Sequence, residues 1–158
     1  YCDGAGAGPD GSLGERHDPE THLLPLILQA ADGRRSHISV YGDDYETSDG
    51  SCVRDFVHVS DLCDAHALAI KYLEEGGEPR SFNLGNGEGQ SVKAAIAAAE
   101  SVTGKTIDVK FVGRRAGDPA VLVADSTAAR LILNWQPCYP ELQTIIQHAW
   151  QWDCLNAN

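Results

Sequence analysis

The sequence predicts an α/β chain, because strand-spaced and helix-spaced apolar patterns alternate along it. Three places show the alternation. Apolar residues at 53, 57 and 59 lie among polar neighbours, as on a half-buried strand, and those at 62, 65, 68, 69, 72 and 73 then follow helical spacing. A short extended run over residues 80–86 leads into an alanine-rich stretch over 92–102. Residues 106–112 alternate once more before two further helical patterns at 126–133 and 140–152.

Each element carries its own signals. Residues 1–20 are rich in glycine, proline and acid, which predicts loop. Gly4-Ala5-Gly6-Ala7-Gly8 has the glycines of a dinucleotide loop, but such a loop follows a strand and opens a helix, whereas Pro9-Asp10-Gly11 turns the chain. Residues 20–33 predict a helix beginning at about 22 to 24, since Pro25 is tolerated only in a first turn, and ending at Gly33. His37-Ile38-Ser39-Val40-Tyr41-Gly42 reads as a short strand, a plain edge strand on pattern alone. Residues 43–50 form an acidic loop. Ser60 is placed to cap the helix of residues 61–73, with Asp61 and Asp64 putting negative charge near its exposed amides, and Gly76-Gly77 stops it. Ser91 caps the next helix. Gly85, Gly87 and Gly89 lack the lysine-serine ending of a P-loop, so they read as a turn. Trp135, Trp150 and Trp152 read as core, and residues 153–158 as a loose tail.

Composition excludes several function classes. With 158 residues, 42% apolar and 22% charged, the chain can bury a core. A net charge of -11 argues against nucleic acid as the main partner. No apolar run approaches the roughly 20 residues that span a bilayer. Cysteines at 2, 52, 63, 138 and 154 are odd in number and show no C-x-x-C spacing, which predicts reduced thiols in a cytoplasmic protein.

Two clusters point to a phosphate ligand. Arg54 stands with Asp55 at the mouth of the first strand, either as a surface ion pair or as a bidentate phosphate donor. Arg114, Arg115, Gly117 and Asp118 follow the 106–112 strand; a guanidinium there can neutralise a diphosphate and the carboxylate can accept from ribose hydroxyls, while Asp118-Pro119 alone would be a turn.

The wording VRDFVHVSDLCDAHALAI resembles the VRDY-IHV-DLADAH segment of the UDP-glucose 4-epimerases, members of the extended short-chain dehydrogenase/reductase family. HDPETHLLPLILQAADGRR, FNLGNGEGQSVK and GRRAGDPAVLVAD extend the resemblance over nearly the whole chain. It implies the C-terminal, substrate-binding part of an extended Rossmann-like fold with an incomplete cofactor sheet, residues 55–102 packing partly with a missing N-terminal half. It implies UDP-glucose and UDP-galactose as ligands and NAD as a cofactor bound by that other half. In the family a hydride leaves the sugar C4 for NAD, the 4-keto sugar turns, and the hydride returns to the other face. The glycine-rich cofactor loop and the Tyr-x-x-x-Lys pair that serve this chemistry are absent here, so no catalytic residue is expected.

The resemblance also implies roles. Tyr1 lies near the nicotinamide, and Asp3 stands where the family has a substrate-touching asparagine, a departure because a carboxylate repels a diphosphate. His22 and Leu23 line the uridine end, with Ser39, Val40 and Tyr41 against the uracil and Val92 beside it. Arg54 and Arg115 serve the phosphates and Asp118 the ribose. Leu122 borders the sugar, where its bulk favours an unmodified hexose. A sheet cut in this way leaves open edges, so a homo-oligomer is expected. The same half of a sibling nucleotide-sugar dehydratase, decarboxylase or epimerase, and a stand-alone noncatalytic binding module, are the alternatives.

Overall fold

A computed structural model describes residues 3–156. In chain order the elements begin with β1 (Asp3–Ala5), α1 (Leu23–Ala31), β2 (Ile38–Tyr41), β3 (Val53–Arg54), β4 (Phe56–His58) and α2 (Val59–Glu74). They continue with β5 (Gln90–Ser91), α3 (Val92–Thr103), β6 (Val109–Val112), β7 (Val121–Leu122), α4 (Thr127–Ile132) and α5 (Leu142–Leu155). The predicted α/β alternation is present.

The strands form three small sheets. β1 runs parallel to β4, with Asp3 opposite Phe56, and β2 runs parallel to β6. β3 lies between antiparallel β5 and parallel β7, which sets Arg54 opposite Leu122. Strand alternation sends Phe56 and Val57 to opposite sides of β4, and each serves a different core. Phe56 joins Leu24, Ile27, Val40, Ile96, Ala99, Ile145 and Ile146, where α1, α3 and α5 meet β1 and β2. Val57 joins Leu62, Ala65, Ala129 and Trp135 under α2 and α4.

Helix ends follow their local chemistry. Pro25 occupies the first turn of α1, whose amides have no partner within the helix in any case. The Ser91 side chain accepts from the Ala94 amide and caps α3 as expected, and Gly104 ends that helix in the left-handed conformation at φ 67°.

Several expectations are corrected. Residues 3–5, read as loop, form β1 because β4 gives their backbone a parallel partner. The single strand over 53–59 is broken between β3 and β4, at Asp55. That side chain is fully buried and accepts from the amides of Asn86, Gly87 and Ala124 at 2.9, 3.1 and 3.2 Å. Residues 80–86 make no strand; this segment is tied in by Asn86, whose side-chain amide donates to the Phe56 carbonyl at 2.6 Å. The cap of α2 is His58, not Ser60: its Nδ1 accepts from the Ser60 amide at 3.0 Å. Asp61 does not face the amides of its own helix but accepts from Cys138 and Tyr139 at 2.7 and 3.0 Å. Residues 153–155, read as tail, continue α5, and Asp153 pairs with Arg34. Trp135 is wholly buried and donates to the Asp61 carbonyl at 2.8 Å, while Trp152 is only half-buried, with Arg16 5.5 Å from its ring centre.

Candidate functional site

Six segments converge on one cleft of about 290 Å³. The start of β1 supplies Asp3, the N-terminus of α1 supplies His22 and Leu23, and β2 supplies Ser39, Val40 and Tyr41. Arg54 comes from β3, Val92 from the first turn of α3, and Arg115 and Asp118 from the loop after β6. These are the ligand residues picked from the sequence, with two exceptions. Leu122 is exposed on β7 outside the cleft lining, and Tyr1 lies outside the described residues.

The parallel pairing of β2 with β6 is what brings Arg115 over Tyr41. Tyr41 lies opposite Val112 in the register, so the chain leaving β6 passes the end of β2. The Arg115 guanidinium sits 4.2 Å from the centre of the Tyr41 ring, and among the described residues it has no carboxylate partner. Its donors therefore stay available to an anion. Arg54 is committed differently. It donates to Asp118 at 2.8 Å and to the carbonyls of Val53 and Pro119 at 2.8 and 3.0 Å, which ties the 118–119 turn to β3. Arg114, one residue before Arg115, turns away to Asp44 and the Tyr45 ring.

Charge in the cleft is nearly balanced. Burial pushes the Asp3 carboxyl above its ordinary range, the positive charges of Arg54 and His22 pull it down, and Asp118 and Asp55 push it up again. Asp55 itself is no ligand: its oxygens are taken by backbone amides under the cleft floor. His22 precedes α1 in extended conformation, its amide and Nδ1 both bonded to Glu20 at 2.7 and 2.9 Å.

Thr21, Leu26, Ile38 and Cys52 also line the cleft and were not singled out from the sequence. Ile38 carried a usable signal, since it shares a strand face with Val40. The others are placed by contacts that local pattern does not encode. The Gly4 to Gly8 run begins inside β1 but opens no helix, because beyond Ala5 the chain continues without helix or strand to Leu23. It forms no dinucleotide cradle.

As chemistry, the cleft offers a free guanidinium, a second one braced by carboxylate and carbonyls, a strand edge beside an aromatic ring, and an acid within reach of a hydroxyl. That set suits a nucleoside diphosphate. No helix among the described residues is long and apolar enough to cross a membrane.

The fold is shared with proteins of known structure. UDP-glucose 4-epimerase of Halalkalibacterium halodurans is 51% identical over 152 residues, covering 96% of this chain and 46% of that protein. A crystal structure of a UDP-glucose 4-epimerase superposes with a TM-score of 0.96 at 51% identity, over 99% of this chain and 47% of that one. The enzyme from Bifidobacterium longum, solved in complex with NAD+ and UDP, gives 0.90 at 33% identity over 100% and 47%. The chain thus spans about half the length of the relatives it matches, and it has the architecture of their C-terminal half, within the extended short-chain dehydrogenase/reductase fold. Residues 6–85 match the NAD dependent epimerase/dehydratase family, and the chain belongs to that family.

Proposed function

We propose that this chain forms the UDP-hexose-binding half of an NAD-dependent UDP-glucose 4-epimerase, acting in the interconversion of UDP-glucose and UDP-galactose. The observation that carries the reading is the cleft in which Arg115 lies unpaired over Tyr41 while Arg54 braces Asp118. Arg115 takes the diphosphate and Asp118 a ribose hydroxyl through the carboxylate oxygen that Arg54 leaves free. His22, Leu23 and Val92 enclose the uridine with the backbone of Ser39 and Val40. Leu122, on the strand beside Arg54, belongs to the sugar side. NAD supplies the hydride chemistry and is held by an N-terminal half. This half contributes binding and orientation, not the catalytic pair.

Calorimetric titration of UDP into the 158-residue chain, alone and joined to an epimerase N-terminal half, tests the reading. Saturable binding is expected in at least the joined form. Arg115→Ala should weaken it about ten- to a hundredfold, the loss of one or two charge-assisted hydrogen bonds. Absence of binding in both forms, or binding indifferent to Arg115→Ala, overturns it.

A further inference from the structure

The loop between β1 and α1 carries a second group of side chains that the nucleotide cleft does not use as a set. Ligating atoms of Glu15, His17 and His22 all lie within 4.8 Å of one another. The two imidazole rings are 4.9 Å apart between centres, tilted by 51°. Glu15 bonds His17 directly. A tetrahedral zinc with bonds of about 2 Å needs donors roughly 3.3 Å apart, a closing that exposed loop side chains make by rotation alone.

A neighbouring carboxylate distinguishes this cluster from a chance meeting of surface polar groups. Glu20 keeps a side chain only 7% exposed, and one of its oxygens receives the amides of Thr21 and His22, both at 2.7 Å, together with His22 Nδ1 at 2.9 Å. Its position is fixed by backbone. With Nδ1 donating to that carboxylate, the His22 lone pair is left on Nε2 and the ring is held in place. This is the outer-shell support that zinc-ligating histidines receive. A competing cluster, Asp61, Asp64 and Cys138, lacks this freedom, since both Asp61 oxygens are engaged by the Cys138 and Tyr139 amides.

We propose that Glu15, His17 and His22 bind a divalent transition metal of the zinc class, with Glu20 as the positioning residue behind His22 and one coordination position left open. Two imidazoles select such a metal over Mg2+ or Ca2+, which take oxygen ligands. The cluster stands between two hollows, since Glu15, His17 and Glu20 line the smaller one and His22 lines the nucleotide cleft. A metal here therefore holds the His22 ring.

The test is titration of the chain with Co2+ and with Zn2+, without nucleotide, followed by calorimetry and visible absorption. One metal per chain is expected, with cobalt bands of a four-coordinate nitrogen-oxygen site and no thiolate charge-transfer band. His17→Ala should weaken binding at least about tenfold, and Glu20→Gln about ten- to a hundredfold. Cys138→Ala should leave affinity unchanged. Circular dichroism checks that the variants fold, which the exposure of His17 favours. No saturable binding, an affinity untouched by His17→Ala, or a thiolate band lost with Cys138→Ala or Cys154→Ala overturns the proposal. None of these outcomes depends on whether UDP binds.

Discussion

At the scale of single residues, Asp3 puts a carboxylate at the edge of the cleft, where the resemblance to the epimerases leads one to expect an asparagine. The carboxyl is half-buried at the cleft edge, its affinity for a proton raised by burial and by Asp118 and Asp55 against the pull of Arg54 and His22. An ionised Asp3 opposes a diphosphate; a protonated one does not. In a medium of effective dielectric near 20, one such charge about 10 Å away costs about 1.7 kcal/mol, so Asp3→Asn should tighten UDP binding at least about tenfold at neutral pH. The advantage should shrink as the pH falls towards the raised Asp3 pKa, where the native carboxyl takes up its proton. Titrations of the two chains at a series of pH values check this, and a variant no tighter at any pH would sink it. Much of the cleft lining was legible because motif wording, not periodicity, singles out its residues. Arg115 and Arg114 have the same chemistry, and only the β2·β6 register and the Asp44 partner separate the free guanidinium from the occupied one. Asp55 and Asp61 were misread for the same reason. A buried carboxylate that gathers amides from distant loops looks, in sequence, like a surface charge.

At the scale of elements, strands and helices were legible where a core face imposes its period, and their ends were not. Patterning located α1, α2, α3 and α5, yet the cap of α2 moved from Ser60 to His58 because a buried imidazole turns back on the helix amide. Gly6 makes room for it. A β-carbon there would lie 2.9 Å from the His58 ring, on a backbone of φ 93° that side chains avoid. Since Nδ1 accepts from Ser60, the neutral ring carries its proton on Nε2 and donates to His148 Nδ1 at 3.0 Å. The Tyr139 ring packs tilted against His58 and edge-on to His148. Burial, then the neighbouring His148, lowers the His58 pKa from 6.5, while Asp61 opposes them. The sign follows. Above 6.5 both folded and unfolded chains hold a neutral ring, and the contribution of His58 is intact. As the pH falls below 6.5 the unfolded chain takes up the proton first, so stability is lost until the lower folded pKa is passed. Urea unfolding from neutral to mildly acidic pH should show this loss, with a slope of at most about 1.4 kcal/mol per pH unit from this group. His58→Asn keeps a capping side chain without a titrating one, so it should be less stable at neutral pH through lost volume but should flatten that slope. An identical slope in both chains would remove His58 from the account.

At the scale of the whole molecule, the sheets are small and their edges open. The β1·β4 pair is a parallel ladder of two strands, whereas parallel strands ordinarily sit inside larger sheets covered on both faces. On α2, Ile70 and Leu73 are 59% and 51% exposed, three residues apart near the C-terminal end, along the flank of the face that the same helix buries through Leu62 and Ala65. An apolar stripe wider than the face buried within this chain suits a helix that also meets a further layer. In the relatives a further half of the polypeptide is available to form the second layer, since this chain accounts for 46 or 47% of their length. Without that layer, the uncovered face and edges favour pairing with whatever matches them, and the nearest match in a pure solution is another copy. The 158-residue chain alone should therefore sediment as species heavier than its 16.9 kDa monomer, increasingly so with concentration. Leu73→Asp with Ile70→Asp should shift the distribution towards monomer without unfolding, because neither side chain contributes to a buried core. Joining the chain to an epimerase N-terminal half should suppress the same self-association and protect the α2 amides from hydrogen exchange. A concentration-independent monomer for the isolated chain would show that α2 needs no second layer, and the packing role assigned to residues 55–102 would fall with it.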